Sequence, residues 1–131
     1  MNAFDDIPID LNSFSYGDIS GQDMWEDWTP TRTGWTDVGT PTVTARYRIV
    51  GKQVFCQVKV IPSTSIATVA GTSYISTPIA AAGLAGMGVM MNTTANTAVG
   101  VCSVDVTNSR IYLPAQLASG NTFTIAFWIE I

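Results

Sequence analysis

A chain of 131 residues with ten acidic and six basic side chains and 47% hydrophobic residues can bury one core without disulfide or metal support, and its net charge of −4 excludes a basic nucleic-acid footprint. Charged residues make up 12% of the chain, about half the usual share, so the surface is either covered by Ser, Thr, Asn and Gly or buried against other chains. Histidine is absent, which removes the usual general base, the Ser-His-Asp and Cys-His arrangements and most zinc sites.

Residues 1–34 are electrostatically distinct from the rest of the chain. Asp5, Asp6, Asp10, Asp18, Asp23, Glu26 and Asp27 give the first 30 residues a charge of −7 with no basic partner, whereas the remainder carries +3. Apolar side chains recur at Phe4, Ile7, Ile9, Leu11, Phe14, Tyr16, Ile19, Met24, Trp25 and Trp28, while Pro8, Gly17, Gly21 and Pro30 interrupt any long helix or strand. A short helical turn fits Gly21 to Trp28. Disordered tails usually lack aromatics, so this segment is expected to be docked, either as a clasp on its own domain or as an arm on another chain. The arm is the favoured arrangement, with Phe4, Ile7, Ile9, Leu11, Phe14, Tyr16, Trp25 and Trp28 as partner-binding residues. Asp5 and Asp6 interrupt the region where the apolar run of a signal peptide would lie.

From Trp35 onward the pattern is all-β. After a short opening segment, GWTDVG, residues 42–62 predict a hairpin around Gly51 and Lys52, with position 50 opposite 53 and 43 opposite 60. That register separates two faces. Val43, Ala45, Tyr47, Ile49, Val54, Cys56, Val58 and Val60 form the core face, and Thr44, Arg46, Arg48, Val50, Gln53, Phe55, Gln57 and Lys59 form the other. A glycine in the first loop position suits a type II′ turn. The half-polar second face carries Arg46, Arg48, Phe55 and Lys59, which are candidates for a subunit interface or for contact with the acidic arm.

Further strands are expected near residues 65–69, 72–77, 87–92, 98–106 and 110–114, with 80–86 as a loop or a single helical turn. The last strand, TFTIAFWIEI, alternates strictly: Phe123, Ile125, Phe127, Ile129 and Ile131 face the core. Such a strand belongs inside a sheet, next to the hairpin or the 98–106 strand. Eight or nine short strands spaced by about ten residues predict an antiparallel β-sandwich over residues 35–131. Cys56 and Cys102 sit in strands without metal-motif spacing and are expected to be buried free thiols, with a disulfide as the alternative if their strands adjoin. The run at 78–91 is too short and too glycine-rich to span a bilayer, so no membrane partner is expected.

Chemistry is sparsely provided for. The carboxylate pairs Asp5/Asp6 and Glu26/Asp27 resemble what a glycosidase needs only in composition, because both lie on the arm and not in a pocket. No catalytic, metal-binding or cofactor-binding residue is assigned, and no enzymatic activity is expected.

The succession GWTDVG, ARYRIVGKQVFCQVKV, TSYISTP, a glycine-rich centre, RIYLPA and SGNTFTIAFWIEI resembles the small jelly-roll heads of bacteriophage virion proteins, both tail-fibre or receptor-binding heads and capsid decoration proteins. The resemblance covers residues 35–131 and not the acidic arm. It implies a jelly roll, a homotrimer packed about an axis, and a non-enzymatic role on the virion surface after synthesis in the bacterial cytoplasm. With no shaft sequence before the sandwich, it favours a trimeric capsid decoration or cement protein whose arm lies on neighbouring subunits or on the major capsid protein. The alternative is a tail-fibre head that recognises a host-surface saccharide or protein receptor.

Overall fold

The computed structural model describes residues 24–84 and 86–131. Twelve strands form among them and no helix: β1 Glu26–Trp28, β2 Arg32–Thr33, β3 Thr36–Val38, β4 Thr42–Val50, β5 Gln53–Ile61, β6 Ser65–Thr68, β7 Tyr74–Ser76, β8 Met87–Asn92, β9 Thr97–Asp105, β10 Arg110–Tyr112, β11 Gln116–Ser119 and β12 Phe123–Glu130. Nine strands form one sheet in the order β1-β4-β5-β12-β8-β9-β10-β7-β2, and β11-β6-β3 form a second. The strand pairs are antiparallel.

The hairpin has the predicted register, with Val50 opposite Gln53 and Val43 opposite Val60. Gly51 has φ +63° while Lys52 is not left-handed, the combination a type II′ turn requires. Val54, Cys56, Val58 and Val60 are buried together with Ala45, while Val43 and Tyr47 are half-buried. Ile49 departs from expectation and is 49% exposed. The neighbouring strand β1 ends at Glu26, opposite Tyr47, so it does not extend far enough to cover Ile49.

β12 is central, as its alternation demands. It pairs with β5 on one side and β8 on the other, and Phe123, Ile125, Phe127 and Ile129 are buried. Around them Ile66, Ile75, Met90, Cys102, Ile111 and Leu113 complete a continuous apolar core.

The sheet is strongly curled, and a short connection shows why. β1 and β2 occupy opposite edges of the nine-stranded sheet, yet only residues 29–31 separate them. Eight inter-strand gaps of about 4.8 Å would place the edges of a flat sheet roughly 38 Å apart, whereas four Cα steps reach at most about 15 Å. The edges must therefore come together, and the sheet's halves face one another as in a β-sandwich. Trp28 on β1 accordingly packs edge-on against both Tyr47 and Phe127, at 6.3 and 6.2 Å between ring centroids. An irregularity between Met90 and Met91 in the β8-β9 pairing adds local bend.

Several elements differ from the sequence-based expectation. Residues 24–34 of the expected arm are described, and Glu26–Trp28 is an edge strand in place of the expected helical turn, with Arg32–Thr33 pairing to β7. β11 has no counterpart among the expected strands. The described part of the 80–86 stretch is irregular, the loop of the two expected alternatives.

Two outcomes test this arrangement. Val58→Asp buries an unpaired carboxylate in the core and should cost ~3 kcal/mol or more in urea unfolding, whereas Lys59→Asp, on the exposed face, should change stability little. Gly88 lies between Phe127 and Cys102 in the sheet, and an added methyl group would meet the Phe127 Cβ and, at 2.6 Å, the Ala126 carbonyl oxygen. Gly88→Ala should therefore lower stability by about 1–3 kcal/mol.

Candidate interaction surface

The outward positions of five adjacent strands carry the least expected feature of the molecule. Strand registers align two rows across β4, β5, β12, β8 and β9: Arg48, Phe55, Trp128, Met87 and Ser103, and beside it Arg46, Gln57, Ala126, Val89 and Val101. Side chains opposite one another in such rows stand about 5 Å apart and form one surface. The rows are graded. Both begin with an arginine on β4, and their β12-β8 centre is apolar.

Ala126 is the small member of this surface, ringed by Gln57, Val89 and, in the adjoining row, Phe55, Trp128 and Met87. The result is an open groove of about 720 Å³ whose other lining residues include Trp25, Arg48, Val50 and Val101. Apolar side chains here are well exposed: Val101 by 66%, Met87 by 57%, Val89 by 47% and Val50 by 46%. Solvent-exposed sheet faces normally carry polar residues, so an apolar one marks a contact surface.

The predicted interface residues occupy the groove and its margin. Arg48 and Phe55 line it. Arg46 lies over the Trp25 ring at 4.8 Å and donates from Nε and Nη2 to Gln57 Oε1 at 3.1 and 3.0 Å. Lys59 is farther along β5, beside Thr44, Asp27 and Thr124. Of the predicted arm residues, Trp25 borders the groove and Trp28 is packed in its own domain's core; Phe4, Ile7, Ile9, Leu11, Phe14 and Tyr16 lie outside the described residues. Sequence reasoning assigns no interface role to Met87, Val89, Val101 or Ala126. The usable signal is the even-numbered face of β12, where Ala126 and Trp128 replace the threonines found at 122 and 124.

A second apolar surface lies on the small sheet. Ile66 and Thr68 of β6 point inward and are buried, which turns Ser65 and Ala67 outward together with Val38 of β3. Leu117 on β11 is 91% exposed, and Val69, just past β6, is 55% exposed.

Several ionisable groups make local contacts between elements. Tyr47 Oη donates to Glu26 Oε2 at 2.6 Å, tying β1 to β4, and this hydrogen bond is the main reason that the phenol's pKa is raised. Asn108 Nδ2 donates to Asp105 Oδ2 at 2.8 Å and Asn108 N to Oδ1 at 3.2 Å, lowering the pKa of that carboxyl and fixing the turn into β10. Arg110 lies 4.3 Å from the Tyr74 ring centroid and donates to Tyr112 Oη, which raises the guanidinium's pKa. Arg32 pairs with Asp37 at 2.7 Å and covers the Trp35 ring. Glu130 accepts from the Leu84 amide. Among the described residues no three metal-ligating side chains converge.

Cys56 and Cys102 are free, buried thiols. They lie in one row, Cys56-Phe127-Gly88-Cys102, three strand gaps apart. No family model matches the chain, and no curated protein or solved structure shows significant similarity to it.

Burial pushes both thiols from an ordinary value of 9.0 up to about 12. They should therefore be unreactive toward a disulfide reagent at pH 8 in the folded protein and react fully once it is denatured. The folded state holds these protons more tightly than the unfolded state, so their contribution is intact below about pH 9 and is lost as pH rises toward 12. The urea midpoint should fall between pH 8 and pH 10, and fall less in Cys102→Ala.

Proposed function

We propose that this chain is a structural protein of a bacteriophage virion surface: a homotrimeric jelly-roll module of the capsid decoration type, attached through its N-terminal segment. The supporting observation is the charge-free outer face of the small sheet, where Val38, Ala67, Val69 and the 91% exposed Leu117 stand outward on a chain with only 12% charged residues. An exposed apolar face of this kind is stabilised by burial against other subunits, and copies of one apolar patch meet about a threefold axis in a cyclic trimer. The sequence resemblance of residues 35–131 to phage jelly-roll heads supplies the context, and the all-β curled sheet is compatible with it. The acidic residues of the N-terminal segment then provide charge complementarity to basic patches on the particle.

Light scattering should give three times the 14.0 kDa chain mass, and Leu117→Glu should shift the protein toward monomer without loss of fold. An antibody raised against the domain should label intact particles of the phage that encodes it. A monomeric wild type at micromolar concentration would overturn the trimer, and unlabelled particles would overturn the virion role.

A further inference from the structure

The groove on the outer face of β4, β5, β12, β8 and β9 is apolar along its floor and basic at one end. We propose that it binds a free medium-chain fatty-acid anion, with the hydrocarbon chain across Phe55, Ala126, Trp128, Met87 and Val89 and the carboxylate on the Arg48 guanidinium. The small sheet, where subunits are proposed to meet, lies elsewhere on the molecule, so the two readings fail separately.

Shape is the first support. Ala126 is the short side chain among the larger Phe55, Trp128, Met87 and Val89, and the hollow of about 720 Å³ has the size of a small-molecule site. From Arg48 on β4 to Met87 on β8 the row crosses three strand gaps, roughly 14 Å. A ten-carbon chain with bonds of about 1.5 Å spans roughly 11 Å when extended, and the arginine side chain covers the rest. The floor narrows the choice further. β4, β5, β12 and β8 are each paired on both sides, so they offer no free backbone donors or acceptors, and Gln57 Oε1 already accepts from Arg46. A peptide laid here would leave the backbone groups on its buried side without partners, whereas a hydrocarbon chain has none to satisfy.

Charge fixes the polar end. Among the residues that line the groove only Arg48 is charged, and it is half-buried. Among the described residues Arg32 pairs with Asp37, Arg46 with Gln57 and Arg110 with Tyr112, whereas Arg48 has no acceptor. Glu26, which borders a separate hollow together with Arg48, is engaged by Tyr47 instead. A planar guanidinium at the end of an apolar groove suits a carboxylate, which it meets with two parallel N–H donors.

The test titrates the full chain with sodium decanoate at concentrations where it is monomeric, reading heat together with tryptophan emission, since Trp25 and Trp128 line the groove. Saturable binding is expected, about tenfold weaker for octanoate, which buries two fewer methylenes. The cation decyltrimethylammonium should bind at least about tenfold more weakly than decanoate. Arg48→Gln should remove this preference for the anion. Val101→Glu, which puts a carboxylate at a 66% exposed position of the groove, should weaken decanoate binding, and Leu117→Glu on the small sheet should leave it unchanged. Unaltered urea midpoints establish that the variants are folded. No saturable binding at millimolar decanoate, equal binding of the two headgroups, or unchanged affinity for decanoate in either Arg48→Gln or Val101→Glu would overturn the proposal. Binding to phosphatidylglycerol vesicles without binding to monomeric decanoate would overturn it too, and would assign the face to a membrane surface.

Discussion

The three-residue connection between β1 and β2 constrains this structure more tightly than any single side-chain contact. It joins strands at opposite edges of a nine-stranded sheet, so the sheet cannot be flat and its concave side must be filled. The filling comes from alternation. Every second residue of β5 and of β12 is an apolar group, and the same row order continues through Met90, Cys102, Ile111 and Ile75 on the strands beyond. Trp28 shows the result directly, since it contacts Phe127 although two strands lie between β1 and β12. Gly88 fits the same picture, because the close approach of Phe127 and the Ala126 carbonyl leaves no room for a side chain.

How much of this is legible in the sequence depends on whether a strand carries its own period. The hairpin and β12 are long and alternate strictly, so their registers and inward faces can be derived from residue spacing and one turn glycine. β1, β2 and β11 have two to four residues each, too few for a period to emerge, and they pair only because the curl brings their partners within reach. For that reason the sequence assigns Trp28 to an external partner, although tertiary packing places it inside. Ile49 errs in the other direction: it lies on the inward face of the hairpin, but burial also needs a neighbouring strand long enough to cover the position, and β1 is too short.

The outer face is harder still. A β-strand pattern separates two sides and does not say which apolar residues on the outward side become neighbours; that needs the strand order. Arg48 and Phe55 can be paired from the hairpin alone, but their continuation through Trp128 to Met87 depends on β12 lying between β5 and β8. Nothing local to Met87 or Val101 announces the groove.

Strand order also separates the two apolar outer regions. The groove is built near Trp128 and Phe55, toward the Gly51 turn, whereas the small sheet connects to the opposite ends of the same strands: β6 follows the end of β5, and β11 precedes the start of β12. From Trp128 to Phe123 is five residues, roughly 17 Å along a strand. Of the two, only the groove is bordered by Trp25 and by the arginines of β4. The outer face of the small sheet carries no charge of either sign, so copies of it brought together incur no like-charge repulsion. The same low charge content thus leaves two distinct apolar outer regions at the two ends of the sheet, one with a basic margin and one without charge.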